Sequence, residues 1–143
     1  MKALALALLL AATASLHASD IWSTDYNAAL AQAAAEKKPV LLEFTGSDWC
    51  PPCKMMTAQI FDTHEFTEFA KTNLVAVKLD YPQAKPQSDE LKAQNQKLAE
   101  QFAIQGYPTV VLLSSEGKEL ARNIGLMRGG PQTLIDWIKS HSK

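Results

Sequence analysis

The sequence predicts a single α/β domain with four strands in the order β-α-β-α-β-β-α, preceded by an extra helix. Short apolar runs of about five residues alternate with longer segments whose apolar residues recur at helical spacing. The last two runs are separated only by the turn Ser115-Glu116-Gly117-Lys118, which predicts a hairpin. The roughly 125 residues that follow an N-terminal leader are enough to bury one core without disulfide support.

Each predicted element follows from a local pattern. Ser23, Thr24 or Asp25 can cap the first helix, and Pro39 ends it. The first strand is apolar throughout except for Glu43, and an acid inside a core strand is unusual. The expected elements are helix 26–37, strand 40–44, helix 50–60, a helix capped by Thr63 that reaches 71, strand 74–79, a helix from the end of the polar loop 81–89 to 102, strand 109–113, strand 119–124, and a last helix from Pro131.

Residues 1–18 have the pattern of a secretory signal peptide. Lys2 supplies the charged start, and the apolar run 3–12 is too short to span a membrane as an uncleaved anchor. Cleavage is expected after Ala18, with Ala14 as the other acceptable site. The mature domain is therefore expected to comprise residues 19–143 and to work in the periplasm or another compartment outside the cytoplasm.

Charge excludes one class of partner. Without Lys2 the chain keeps thirteen basic and fifteen acidic residues, and no basic block occurs anywhere. A nucleic-acid-binding protein would show a basic patch. Nucleic acid is therefore not an expected partner, and a monomer is the default expectation.

Cys50 and Cys53 are the only cysteines of the chain, and they lie three positions apart at the predicted start of a helix. This placement predicts a redox dithiol, because exchange needs one cysteine that attacks a foreign disulfide and a neighbour that resolves the mixed disulfide. Disulfides form and persist outside the cytoplasm, where the domain is expected to work. A helix N-terminus favours a thiolate. Pro51 and Pro52 are tolerated in the first helical turn, although they remove two N–H donors that could have stabilised that thiolate.

Four features in order resemble the thioredoxin superfamily. They are the acid Glu43 in the strand before the dithiol, Trp49-Cys50-x-x-Cys53-Lys54, Gly106-Tyr107-Pro108-Thr109, and Gly125 after the last strand. The resemblance implies a thioredoxin fold, with a central mixed four-stranded sheet flanked by helices. Within the superfamily the chain is similar to exported domains such as the C-terminal domain of the disulfide interchange protein that carries electrons into the periplasm. The stretches that match are Lys38-Pro39-Val40-Leu41-Leu42, Asp48-Trp49-Cys50, Phe61-Asp62 and Gly106-Tyr107-Pro108-Thr109.

The resemblance also implies roles for individual residues. Cys50 would be the attacking thiolate and Cys53 the buried resolving thiol. Pro108 would be a cis-proline beside the dithiol, and the main chain of Tyr107 would pair with an extended substrate segment. Trp49 would shield the dithiol and contact the partner, or else belong to the core.

Glu43 takes the position of a buried acid, usually aspartate in the superfamily, that transfers protons to and from the second cysteine. The sequence departs from that pattern in two ways: glutamate replaces aspartate, and the segment from Glu43 to Cys50 is one residue longer. The alternative is a glutamate at the edge of the core that reaches solvent or pairs with a lysine. Lys54 is expected to be an ordinary surface lysine rather than an aid to Cys50, and Asp48 a turn residue rather than a charge opposing the thiolate.

The predicted function is a thiol–disulfide oxidoreductase outside the cytoplasm that reduces protein disulfides. The resemblance implies an acid behind Cys53, and a histidine between the cysteines accompanies the oxidising members of the superfamily. The presence of the first and the absence of the second favour reduction over oxidation. A specialised reductant for cytochrome c assembly is an alternative that shares the same residues. A static structural disulfide in a peptide-binding domain is another, although so small a loop would stabilise little.

A metal-binding or metal-delivery module is the alternative from a different class. Only His64 and His141 remain in the mature chain to join Cys50 and Cys53, whereas closed zinc sites need four ligands. No cofactor or metal is therefore expected. The expected partners are proteins with disulfides and a separate electron donor in the membrane.

Overall fold

The computed structural model describes residues 20–143, so the predicted signal peptide lies outside the described residues. Five strands and five α-helices follow one another along this part of the chain. They are β1 (Trp22–Ser23), α1 (Tyr26–Glu36), β2 (Val40–Thr45), α2 (Pro51–Met56), α3 (His64–Asn73), β3 (Val75–Asp80), α4 (Asp89–Gln101), β4 (Thr109–Leu113), β5 (Glu119–Ile124) and α5 (Pro131–His141). A π-helical turn, Thr57–Phe61, continues α2.

The strands form one mixed sheet in the order β1-β3-β2-β4-β5. β1 and β2 both run parallel to β3, as expected for strands joined through helices. β4 runs antiparallel to β2 and to β5, which completes the predicted hairpin. β2 is therefore the central strand, and the dithiol follows directly after its end.

The prediction of four strands was one short. The fifth strand, β1, has two residues, and Trp22 and Ser23 pair with Ala76 and Val77 of β3. Two residues are too few to show the alternation that marks a strand in a sequence. This edge strand is defined by its pairing partner and not by its own residues.

The two faces of the sheet bury two separate cores. One core lies under α2, α3 and α5 and includes Leu41, Met56, Phe66 and Leu134. The other lies under α1 and α4 and includes Leu42, Phe44, Ala33, Leu98 and Phe102. Alternate residues of β2 enter opposite cores, which is the two-residue period of a strand. Glu43 therefore projects from β2 on the same face as Leu41, toward the layer that contains the dithiol helix.

The helix after the dithiol is not continuous, although the sequence predicted one from 50 to 60. α2 ends at Met56, and the wider π-helical turn that follows has an N–H···O=C bond of 2.9 Å from Asp62 back to Thr57. This turn lets the consecutive residues Ile60 and Phe61 both enter the core that already holds Met56. No helix between residues 20 and 143 combines the length and apolar character that crossing a membrane requires.

Candidate redox site

The two cysteines lie at the start of α2 and are joined by a disulfide, with Cα atoms 5.2 Å apart. Cys50 is the N-cap of the helix and Cys53 is in its first turn. Their burial is unequal: 3% of Cys50 is exposed, whereas Cys53 is completely buried. A sulfur of another protein can therefore approach Cys50 and not Cys53.

The proline pair leaves a single amide facing the sulfur of Cys50. Pro51 and Pro52 occupy the first two helical positions, where neither has an N–H to offer. The N–H of Cys53 donates to Cys50 Sγ at 3.3 Å, and the N–H of Lys54 donates to the C=O of Cys50 at 3.1 Å. In the reduced protein the Cys53 amide can therefore stabilise a thiolate at Cys50.

Trp49 lies beside the dithiol and is held from two sides. Its Nε1–H donates to the C=O of Tyr81 at 2.8 Å, and its ring meets that of Tyr107 edge to face at 5.8 Å. The indole also covers Gly46 so closely that a Cβ at that position would overlap it. Trp49 is 38% exposed, so it forms part of the surface around Cys50 and is not a core residue.

Asp48 anchors a distant loop. Its carboxylate accepts hydrogen bonds from the N–H groups of Gln83, Ala84 and Lys85 at 3.0, 2.7 and 2.9 Å. These bonds, of which that from Gln83 contributes most, lower the pKa of Asp48 from 3.8 to about 2. The sequence indicated only a turn residue here, because its three partners lie 35 to 37 positions further along the chain.

We expect Asp48→Ala to release this loop. Loss of three charge-assisted hydrogen bonds should speed hydrogen exchange at the amides of residues 83–85 by about tenfold or more. It should also change the fluorescence of Trp49, which is bonded to the start of the same loop at Tyr81. Asp136→Ala, at an exposed position of α5, is the control. Unchanged exchange at residues 83–85 would mean that the carboxylate does not hold the loop.

The Tyr107–Pro108 peptide bond is cis and lies next to Trp49. The N–H of Gly125 donates to the C=O of Pro108 at 2.8 Å and ties this loop to the segment after β5. Gly125 has a φ of +88°, a conformation that side-chain-bearing residues rarely adopt. Within the described residues the N–H and C=O of Tyr107 have no backbone partner, so both are available to an extended segment.

Glu43 lies at the centre of the sheet, in register with Lys78 of β3 and Val110 of β4. It is completely buried, and neither carboxyl oxygen has a hydrogen-bond partner among the described residues. Burial is the main cause that raises its pKa from 4.5 to about 7, while the charge of Lys78 opposes the rise. Glu43 neither reaches solvent nor forms a salt bridge in the described part of the chain.

A cavity of about 280 Å³ on the dithiol side of the sheet is lined by Lys78, the partner of Glu43 on β3, and not by Glu43 itself. Thr45, two residues further along β2, lines it with a buried hydroxyl that has no partner among the described residues. Lys54 and Asp62 also line this cavity. Lys54 is thus an exposed residue at the edge of the cavity, and its side chain makes no ion pair within residues 20–143.

The histidines do not assemble around the dithiol. His64 begins α3, and His141 ends α5 with its Nδ1 2.8 Å from the C=O of Trp137. Among residues 20–143 no three His, Cys, Asp or Glu side chains are grouped as a metal site would require.

Comparison with known proteins agrees with this geometry. The pattern of the thioredoxin-like domain family matches residues 26–141. The disulfide bond reductase DsbH of Chlamydia pneumoniae is 37% identical over 131 residues, which cover 92% of this chain and 78% of that protein. A solved structure of a DsbH oxidoreductase superposes with a TM-score of 0.78 at 39% identity, over 84% of this chain and 82% of that one. The reduced C-terminal domain of Neisseria meningitidis DsbD superposes with a TM-score of 0.61 at 26% identity, over 80% and 92% of the two chains.

The predicted resemblance and fold class are confirmed, with five strands in place of four. The similarity to DsbH, together with the Cys50–Cys53 pair at a helix N-terminus, shows that the protein is a thiol–disulfide oxidoreductase. The findings favour neither a metal module nor a specialised reductant for cytochrome c assembly. The chain belongs to the thioredoxin-like family.

Proposed function

We propose that this oxidoreductase works outside the cytoplasm, in the periplasm of a bacterium, and reduces disulfides of other proteins. The unequal burial of the two cysteines carries the proposal, because it assigns attack to Cys50 and resolution to Cys53. Similarity to a protein named as a disulfide bond reductase supports the direction, and the signal-like residues 1–18 support export.

The proposed reaction proceeds in two exchanges. The thiolate of Cys50 attacks one sulfur of a substrate disulfide, which forms a mixed disulfide and releases the other substrate sulfur as a thiolate that takes up a proton. Cys53 then loses its proton and attacks Cys50 Sγ. The mixed disulfide breaks, the second substrate sulfur leaves as a thiolate that is protonated, and two electrons have passed to the substrate. The protein is left with the Cys50–Cys53 disulfide present in the structure.

Glu43 is the proposed base for the second exchange. Its carboxyl projects toward the layer of α2, and a carboxyl with a pKa of about 7 can accept and return a proton near neutral pH. Thr45 and Lys78, which flank Glu43 along β2 and on β3, line the cavity on this side of the sheet and would separate the proton of Glu43 from solvent by a single side chain.

Trp49, Tyr107 and Pro108 are the proposed contacts for the substrate. Trp49 presents an exposed ring next to Cys50, and Tyr107 contributes its unpaired main chain before the cis bond. An extended segment of the substrate could pair with that main chain while its disulfide meets Cys50.

Each turnover oxidises the dithiol, so a separate donor must return two electrons. We assign this role to a membrane protein, because a dithiol outside the cytoplasm is separated by the membrane from the thiol systems that keep cytoplasmic thiols reduced. The protein is proposed to act as a monomer, since one chain holds both cysteines and the residues around them.

The reduction potential of the Cys50/Cys53 couple tests the direction of electron flow. Equilibration in defined thiol buffers should give a value near that of thioredoxin, about −270 mV. A potential near about −120 mV would identify an oxidant and contradict the proposal. The Cys50→Ser variant, which has no couple, supplies the baseline.

A further inference from the structure

The turn that leads from β2 to the dithiol, residues 46–49, is held by the neighbouring strand β3. It closes through an N–H···O=C bond of 3.0 Å from Cys50 to Gly46. The carboxyl group of Asp80, the last residue of β3, accepts from both donors of Ser47, the N–H at 2.9 Å and the hydroxyl at 2.5 Å. One carboxyl group thus fixes the turn three residues before Cys50.

This turn belongs to the segment that is one residue longer than the thioredoxin pattern, between Glu43 and Cys50. A longer connection has more conformations open to it, so its far end is less well placed unless further bonds hold it. The two bonds between Ser47 and Asp80 supply that restraint. They give the longer segment one defined path from the sheet to the dithiol.

Asp80 is itself held firmly. Its C=O accepts from the side-chain amides of Gln87 at 3.1 Å and of Asn95, a buried residue of α4, at 2.9 Å. The next residue, Tyr81, donates its N–H to the C=O of Thr45 at 2.9 Å, which continues the pairing of β3 with β2. The carboxyl group of Asp80 therefore projects from a fixed point, and the turn takes its position from it.

The position of the turn matters for the sulfur of Cys50. Cys53 is completely buried within α2, whereas Cys50 lies where the turn meets the helix. The N–H of Cys53 reaches Cys50 Sγ at 3.3 Å across that junction. A displaced turn would lengthen this contact, and the amide would then stabilise a thiolate at Cys50 less well.

We propose that Asp80 is a positioning residue for the redox reaction. By holding Ser47, it keeps the sulfur of Cys50 beside the amide of Cys53 and so maintains the reactivity of the thiolate. Asp80 acts through the turn and does not contact the sulfur or the substrate. This inference rests on the proposed attack by Cys50.

The charge of Asp80 has the opposite effect on the thiolate. A nearby negative charge disfavours a second one, so loss of the charge alone would lower the pKa of Cys50. Loss of the positioning bonds would instead raise that pKa, because the thiolate would lose its amide partner. The sign of the change therefore separates the two effects, and a purely structural role would produce neither.

The test measures alkylation of the reduced protein by iodoacetamide between pH 4 and 9, with peptide mass spectrometry to locate the label. Asp80→Ala removes both bonds to Ser47. Asp80→Asn removes the charge but keeps an oxygen that can accept from the N–H and an amide that can donate to the hydroxyl oxygen. Asp136→Ala, at an exposed position of α5, is the control.

Asp80→Ala should slow alkylation of Cys50 at pH 7 by at least about fivefold and raise the pH midpoint of the reaction. Asp80→Asn should restore the rate to within about twofold, and Asp136→Ala should change nothing. A lowered midpoint in both Asp80 variants would show that only the charge acts, and would overturn the proposal. An unchanged midpoint in Asp80→Ala would overturn it as well.

A second measurement does not depend on the folding of any variant. In the reduced protein without substitutions, the amide of Ser47 should exchange its hydrogen at least about a hundredfold more slowly than in an unstructured chain. Exchange at the unstructured rate would mean that Asp80 does not hold the turn. Alkylation of Cys53 before Cys50 in that protein would instead refute the attack assigned to Cys50, so the inference and the proposed function fail in different ways.

Discussion

The Cys53→Ser variant is expected to lose turnover by at least about three orders of magnitude and to accumulate a mixed disulfide with its substrate. The chain has no third cysteine, so nothing else can resolve the bond at Cys50. Residues that act together in one exchange lose nearly all activity when one of them is removed. Mass spectrometry after incubation of the reduced variant with a disulfide-bonded protein should show one substrate linked at residue 50.

The Cys50→Ser variant is the matched control. Cys53 is completely buried and cannot meet a substrate sulfur in the folded protein, so this variant should form little or no mixed disulfide. Efficient trapping by Cys50→Ser, with little by Cys53→Ser, would reverse the assignment of the two sulfurs. Addition of a small thiol should release the substrate trapped at Cys50 and regenerate the variant.

Glu43 is expected to make the folded protein less stable as the pH rises from about 4.5 to 7. Its pKa in the folded state, about 7, lies above the unfolded value of 4.5, so folding favours the protonated carboxyl. That stabilisation is complete below pH 4.5 and is lost as the pH rises through 7. A shift of this size corresponds to roughly 3 kcal/mol in the free energy of unfolding.

Urea unfolding of the oxidised protein at pH values from 4.5 to 8.5 measures this effect without titration of the thiols. Glu43→Gln, which keeps the shape of the protonated carboxyl, should remove most of the pH dependence and leave the protein more stable than the unmodified chain at pH 8. Glu90→Gln, at an exposed position of α4, is the control and should keep the pH dependence of the unmodified protein. If the free energy of unfolding of Glu43→Gln still falls with pH as in the unmodified protein, another group is responsible for the pH dependence.

The same variant separates a stabilising role from a catalytic one. If Glu43 takes the proton of Cys53, Glu43→Gln should slow the release of substrate from the mixed disulfide and flatten the pH dependence of that step near 7. The rate of the first attack by Cys50 should change much less. An effect on stability alone would leave Glu43 as a buried acid without a part in the exchange.

Local patterns in the sequence predicted most of the fold and the centre of the site. The order of helices and strands follows from apolar spacing over ten or so residues, and the predicted caps Asp25 and Thr63 lie next to the helices that they begin. The dithiol could be predicted because both cysteines belong to one helical turn. The roles expected for Tyr107 and Pro108 came from the resemblance to the thioredoxin superfamily, because X-Pro bonds are seldom cis and no local pattern predicts one.

Only the tertiary structure decided the features that depend on contacts distant in the chain. β1 exists because it pairs with β3, some 54 residues further along. Asp48 meets the loop at residues 83–85, and Tyr81 meets Trp49, through bonds that no local pattern encodes. The burial of Glu43 likewise arises where separate elements pack together, because solvent exclusion is a property of the assembled layers and not of any one segment.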